Sequence, residues 1–235
     1  MNIHLDVVTN HSFSSAIQSD LHKLSQEYWA LATLRYLFPS QFEKMIKGES
    51  PDLQDKINRV GIEVTSAVEE GEMQANRAFA ESIENPLSKK AANDRHASEK
   101  NGYSISSGQF GNVLSAPLRT SKVEKRVFQA SIKRKIAKAE KYRSYFSKLG
   151  LALMLPEIPT REAENSAIDW AVELLKSDDG FDFIYVISER FCLYYEIATL
   201  YRLKYDISKD ESHLLRTIAR MTAEGELTLD SPVWC

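Results

Sequence analysis

The stretch "FDFIYVIS", Phe181 to Ser188, limits what this chain can fold into more than any other. Successive side chains of a strand point to opposite faces. Phe181, Phe183, Tyr185 and Ile187 share one parity, and Ile184 and Val186 share the other, so both faces are apolar. A strand of that kind belongs inside a sheet covered on both sides. The same aromatics could be read as a base-stacking platform, but burial on two faces is the simpler account.

The elements on either side supply the covering layers. Ile17, Leu21, Leu24, Tyr28, Leu31 and Leu34 recur at helical spacing, and Pro39 ends the pattern. Ser40 and Glu43 have capping-box spacing, which predicts a short helix ending at Gly48. "DLQD" and "VGIEVTSAV" read as two strands with "KINR" as their turn. A helix is expected over 69–83. Residues 86–120 are rich in Ser, Asn and Gly and read as an insertion with room for one small hairpin. Ser121 and Glu124 open a basic helix running to about Lys148, with Gly150 as its stop. "LALMLPEI" is of strand length, and Thr160 caps a helix through "EAENSAIDWAVELLKS". "FDFIYVIS" and "RFCLYYEIAT" are neighbouring strands, and Ser208 with Glu211 opens a last helix through Met221. The expected fold class is α/β, one domain over 1–235, with a mixed sheet of about five strands flanked by helices and 86–120 inserted. If the strands before and after the basic helix are parallel, that crossover is right-handed.

Composition excludes several classes. No apolar run approaches the roughly 20 residues that span a bilayer. The start, "MNIHLDVVTNHSFSS", lacks the basic and apolar parts of a secretory signal, so a cytoplasmic location and no membrane partner are expected. Cys192 and Cys235 make no disulfide framework, and Cys192, within "FCLYY", reads as a buried thiol. The five histidines show no metal-ligand spacing, and no Gly-rich phosphate loop is present. Trp29 and Trp170 lie on helical stripes and read as core. The charge is uneven. Residues 119–148 hold 11 Lys/Arg and 2 acids, a net +9, so the rest of a chain of net charge −3 carries −12. Such asymmetry fits either a solvated helix face or an element facing a polyanion.

Chemistry is expected at the first hairpin. Glu63 interrupts the strand pattern of Ile62-Glu63-Val64, on the face opposite Ile62 and Val64. Either it meets water on an ordinary edge, or it meets Asp52 of the preceding strand. Two converging carboxylates can hold a hard cation such as Mg²⁺, and Glu49 could add a ligand. Pro51-Asp52, then ten residues, then Glu63-x-Thr65 resembles the PD-(D/E)-x-K phosphodiesterase superfamily, which includes restriction endonucleases and many repair and phage nucleases. The wording "ESPD…GIEVT" looks like small bacterial and phage proteins placed there. The resemblance covers about Glu27 to Tyr195. It implies a restriction-endonuclease-like sheet and a Mg²⁺- or Mn²⁺-dependent nuclease acting on DNA. Asp52 would be the central metal ligand, Glu63 the second and the backbone carbonyl of Val64 a third.

The lysine of that motif normally stands two residues after the Glu, where this chain has Thr65. The basic helix offers a replacement. With Ile132 at zero, Phe128, Ile136 and Ala139 cluster within about 40°, Lys135 falls near about −60° and Lys125 near about +20°. Lys135 is therefore the expected inward lysine, with Lys125 the runner-up, whereas Lys133, Arg134 and Lys141 point away. Lys125, Arg126, Lys133, Arg134 and Lys138 are the expected contacts to nucleic acid. The competing reading is a relative that binds nucleic acid or a protein partner without cutting. The oligomeric state is open, a homodimer included.

Overall fold

The computed structural model describes residues 21–66, 121–155, 161–175 and 180–229, with positions 89, 92, 93, 96, 103, 104, 118 and 119. Helix α1 (His22–Leu37) leads into a single turn, α2 (Pro39–Phe42). Three strands follow: β1 (Ile46–Lys47), β2 (Leu53–Asp55) and β3 (Val60–Ser66). Two further short strands, β4 (Tyr103–Ser104) and β5 (Leu118–Arg119), pair antiparallel in a sheet of their own. The basic helix α3 (Ser121–Arg143), strand β6 (Lys148–Met154), helix α4 (Arg161–Leu175) and strand β7 (Phe183–Ile187) come next. Strands β8 (Phe191–Glu196) and β9 (Tyr201–Asp206) and helix α5 (Lys209–Ala223) complete the described chain.

The main sheet has seven strands in the order β1-β2-β3-β6-β7-β8-β9. β3, β6 and β7 run parallel, and the remaining pairs are antiparallel. The fold is thus α/β with a mixed sheet flanked by helices. On one face Trp29, Leu31 and Leu34 of α1 and Leu215 and Ile218 of α5 pack with Ile62, Val64 and Tyr185. On the other, Phe128 and Ile132 of α3 and Trp170 of α4 pack with Leu151, Leu153, Ile184 and Val186. Every residue of β7 is buried, as its two apolar parities require. Cys192 is fully buried, and burial pushes its thiol pKa up.

Local chemistry sets the boundaries. In the turn after β2, the Asp55 carboxylate accepts from the Ile57 and Asn58 N–H groups at 3.0 and 2.9 Å and from the Asn58 side chain at 2.7 Å. Burial raises the Asp55 pKa, but these donors outweigh it and hold the carboxyl below its usual range. Arg59 then takes a positive φ of 53° to enter β3. At α5, Ser208 and Glu211 form the expected capping box.

Four expectations change. Ser40 and Glu43 form no capping box: Pro39 takes the first position of α2, Ser40 lies inside the turn, and Glu43 is its C-cap. The chain then joins the sheet, Ile46–Lys47 pairing with Gln54–Leu53, so no helix reaches Gly48. Helix α3 ends at Arg143, and Gly150 is no helix stop. It lies within β6, where a Cβ would come 2.0 Å from the Phe183 ring. The sheet has seven strands rather than about five because β1 is two residues long and β9 is a mostly exposed, charge-bearing edge strand. The helix expected over 69–83, most of 86–120, Ile17 and Cys235 lie outside the described residues.

Gly150→Ala is expected to lower stability by about 1–3 kcal/mol, because the methyl group must displace a buried ring. Adding Phe183→Leu should recover part of that loss in urea denaturation. An unchanged midpoint for Gly150→Ala would contradict this packing.

Candidate functional site

Strand β3 outruns its neighbour. β2 pairs with Val60, Gly61 and Ile62, and Leu53 stands opposite Ile62. The ladder ends there: Pro51 lies back over Gly61, where a Cβ would come 2.6 Å from its ring, so no residue of β2 pairs with Val64. The Asp52 carbonyl accepts from Gly48 N–H at 2.8 Å, so its main chain faces β1 while its side chain is free to turn toward β3. There Asp52 Oδ2 accepts from the Val64 N–H at 2.8 Å. N–H and C=O of one strand residue share an edge, so the Val64 carbonyl faces the same way. The ladder with β2 has already ended, so no N–H of that strand pairs with it. The Pro-Asp pair therefore opens a notch in the ladder and fills half of it with a carboxylate.

Glu63 projects from β3 on the α3 face, away from Ile62 and Val64. Both carboxylates are buried, Asp52 at 3% and Glu63 at 1% exposure. Lys135 arrives from α3, its Nζ donating to Glu63 Oε1 at 2.6 Å and lying 3.7 Å from Asp52 Oδ2. These two oxygens can be no farther apart than those distances laid end to end. One cation, at about 2.0–2.6 Å from each, needs them within about 5 Å of one another. Lys138 Nζ lies 3.5 Å from the same Glu63 oxygen. The helix is pinned above the notch by Ser131, whose Oγ donates to the Ser66 carbonyl at 3.2 Å.

Four further groups complete the cluster, none of them singled out by sequence reasoning. Glu27 of α1, 4% exposed, binds Lys23 at 3.1 Å and Lys47 at 3.3 Å. Lys23 also lies 3.8 Å from Asp52 Oδ1. A buried Glu at position 27 breaks the apolar stripe of α1, and that break was the available signal. Tyr142, one turn beyond Lys138, faces Ser50 and Glu63; burial first, then the Glu63 charge, pushes its phenol up to about 12. It stays a neutral hydroxyl at ordinary pH.

The structure brings Asp52, Glu63, Val64 and Lys135 together and leaves other candidates out. Glu49 is exposed and makes no hydrogen bond or ion pair among the described residues, because the chain turns outward before Pro51. Lys125 does not point into the notch. It reaches across to α4, where Glu173 holds it at 3.0 Å. Lys133, Arg134 and Arg126 are exposed on α3. Thr65 lies on the same strand face as Glu63 and is buried, an uncharged neighbour of the cluster.

The donor set suits a hard divalent cation. Glu63 Oε2 is buried without a hydrogen-bond partner, and Val64 lies beyond the last pair of the β2 ladder. Among the described residues no three His, Cys, Asp or Glu gather as a metal cluster. The protein's share of the coordination would be two carboxylates and one carbonyl, with water and phosphate oxygens as the rest, a common arrangement for Mg²⁺. Burial raises the Asp52 pKa, and the Lys135 charge and Val64 N–H hold it back.

Comparison with protein-family models, with curated proteins and with solved structures returned no match. The site rests on its own geometry. Among the described residues no helix is long and apolar enough to cross a membrane.

Lys135→Met is expected to be destabilised in a pH-dependent way. An Asp whose folded pKa is raised favours the folded state most when protonated, and that stability is lost as pH rises from the ordinary aspartate value of 3.8 through the folded value. Removing Lys135 raises the folded value further, so the loss grows and extends to higher pH. Urea denaturation should show a deficit of about 3–5 kcal/mol near neutral pH that shrinks in acid. A deficit independent of pH would contradict the pairing.

Proposed function

We propose that this chain is a metal-dependent phosphodiesterase acting on nucleic acid, DNA first, with a restriction-endonuclease-like sheet. One observation carries the reading: two buried carboxylates of adjacent strands meet at a notch, with a helix-borne ammonium between them. Mg²⁺ or Mn²⁺ held by Asp52, Glu63 and the Val64 carbonyl would supply Lewis-acid activation of water and neutralise charge on the phosphate.

The chain's own groups have separable tasks. The Val64 N–H fixes the Asp52 rotamer. Lys135 stands where a positive charge can stabilise negative charge growing on the phosphate oxygens, the task the superfamily gives to the strand position that is Thr65 here. Because it comes from α3, its reach depends on helix docking rather than on strand alternation. Lys133, Arg134 and Lys138, exposed on that helix, would hold neighbouring backbone phosphates. Water attacks the phosphorus in line with the departing oxygen.

A second reading is favoured by the charge of the cluster itself. Glu27, Asp52 and Glu63 face Lys23, Lys47, Lys135 and Lys138, so the acids are already matched by ammonium groups. A protein that binds nucleic acid without cutting would keep that arrangement.

The assay is cleavage of plasmid and single-stranded DNA with Mg²⁺ or Mn²⁺. Cleavage by the parent protein is expected, with Asp52→Ala and Glu63→Ala each reducing it by at least about 100-fold. Lys135→Ala should lower kcat more than it raises KM. Cleavage that survives both carboxylate substitutions would overturn the assignment, and binding with no cleavage in either metal would favour the second reading.

A further inference from the structure

We infer that Lys23, Glu27 and Lys47 form the second half of a phosphate clamp, and that the polymer admitted to the notch is a single unpaired strand. The inference deepens the phosphodiesterase reading and takes its site from it. Helices α1 and α3 pack on opposite faces of the sheet, yet their lysines meet at one edge. They can do so because β3 continues past β2 and leaves that edge open. Lys23 comes round from one face to Asp52, and Lys138 comes round from the other to Glu63. Both project outward, their side chains 74% and 55% exposed, with the carboxylates on the floor between them.

The placement of Lys23 does not serve the helix. It lies in the first turn of α1, where the helix dipole disfavours a cation. It also precedes its i+4 partner Glu27, the less favourable order for such a pair. A carboxylate with only 6% of its side chain exposed nonetheless holds both Lys23 and Lys47. Glu27 is a positioning residue: one of its oxygens holds Lys23 beside Asp52 and the other holds Lys47, as Lys135 and Lys138 stand beside Glu63. A phosphate reaching the buried carboxylates must descend between the two sets, with its neighbours on Lys23 and Lys138. One strand can follow that path, whereas a duplex brings a second backbone and a stacked base pair to the same gap.

The test is fluorescence anisotropy of a short labelled DNA oligonucleotide in EDTA over a range of salt, so that no turnover is needed. Lys23→Gln and Lys47→Gln should each weaken binding and reduce the slope of log affinity against log salt by about 0.7, with Lys23→Arg restoring it. Glu27→Gln makes the protein more positive, yet it should bind more weakly because the ammonium groups lose their anchor. Tighter binding by Glu27→Gln, or an unchanged slope for Lys23→Gln, would overturn the clamp. The parent protein should bind the unpaired strand more tightly than a blunt duplex of the same sequence; equal or tighter duplex binding would overturn the single-strand assignment. An unchanged slope beside intact metal-dependent cleavage removes the clamp alone. A reduced slope in a protein that never cleaves leaves the clamp standing and removes the phosphodiesterase.

Discussion

Two carboxylates buried on one edge of a sheet repel each other and lose hydration, and a cation must answer them. Lys135 does so from a helix on the flank of the sheet, within hydrogen-bonding distance of Glu63 and near Asp52. The pairing fixes where α3 lies, because the helix must present that side chain while Phe128 and Ile132 stay in the core. It also fixes what the hairpin can do. Burying unpaired charge is far costlier than burying a matched set. The constellation is therefore a constraint on the fold as well as a candidate for chemistry.

The notch follows from one dipeptide. At Pro51 the chain has left the ladder and lies over Gly61, and Asp52 supplies a side-chain acceptor for the Val64 N–H instead. The backbone edge that continued pairing would have closed stays open to helices from both faces. Gly61 assists from below, since a Cβ there would come 2.6 Å from the Pro51 ring. A strand lysine in place of Thr65 would also reach this face, but the helix already brings one.

Much of this was legible in the residues. Strand alternation puts Glu63 opposite the core face, and the helical wheel selects Lys135 from eleven basic residues of its segment. The wheel erred on Lys125 because angle alone carries no position along the axis. That lysine lies far enough toward the helix start to meet Glu173 of α4 instead. Glu49 looked plausible from its distance along the chain, which says nothing about the turn before Pro51. Glu27 left a signal in the stripe of α1, but its place beside Asp52 and that of Lys23 were illegible: both enter the site from a helix on the opposite face, and only the tertiary arrangement shows that both faces share one edge. β9 went unread because a charged edge strand gains little from burial and leaves a weak apolar pattern.

The central claim is that Asp52, Glu63 and the Val64 carbonyl form one cation site beside Lys135. A crystal grown with Mn²⁺ and measured for anomalous scattering tests it most directly. The account predicts a single peak in the notch, at about 2.0–2.5 Å from oxygens of both carboxylates. Density showing the two side chains turned to opposite sides of the sheet, or a manganese-free notch in a crystal saturated with the ion, would contradict it.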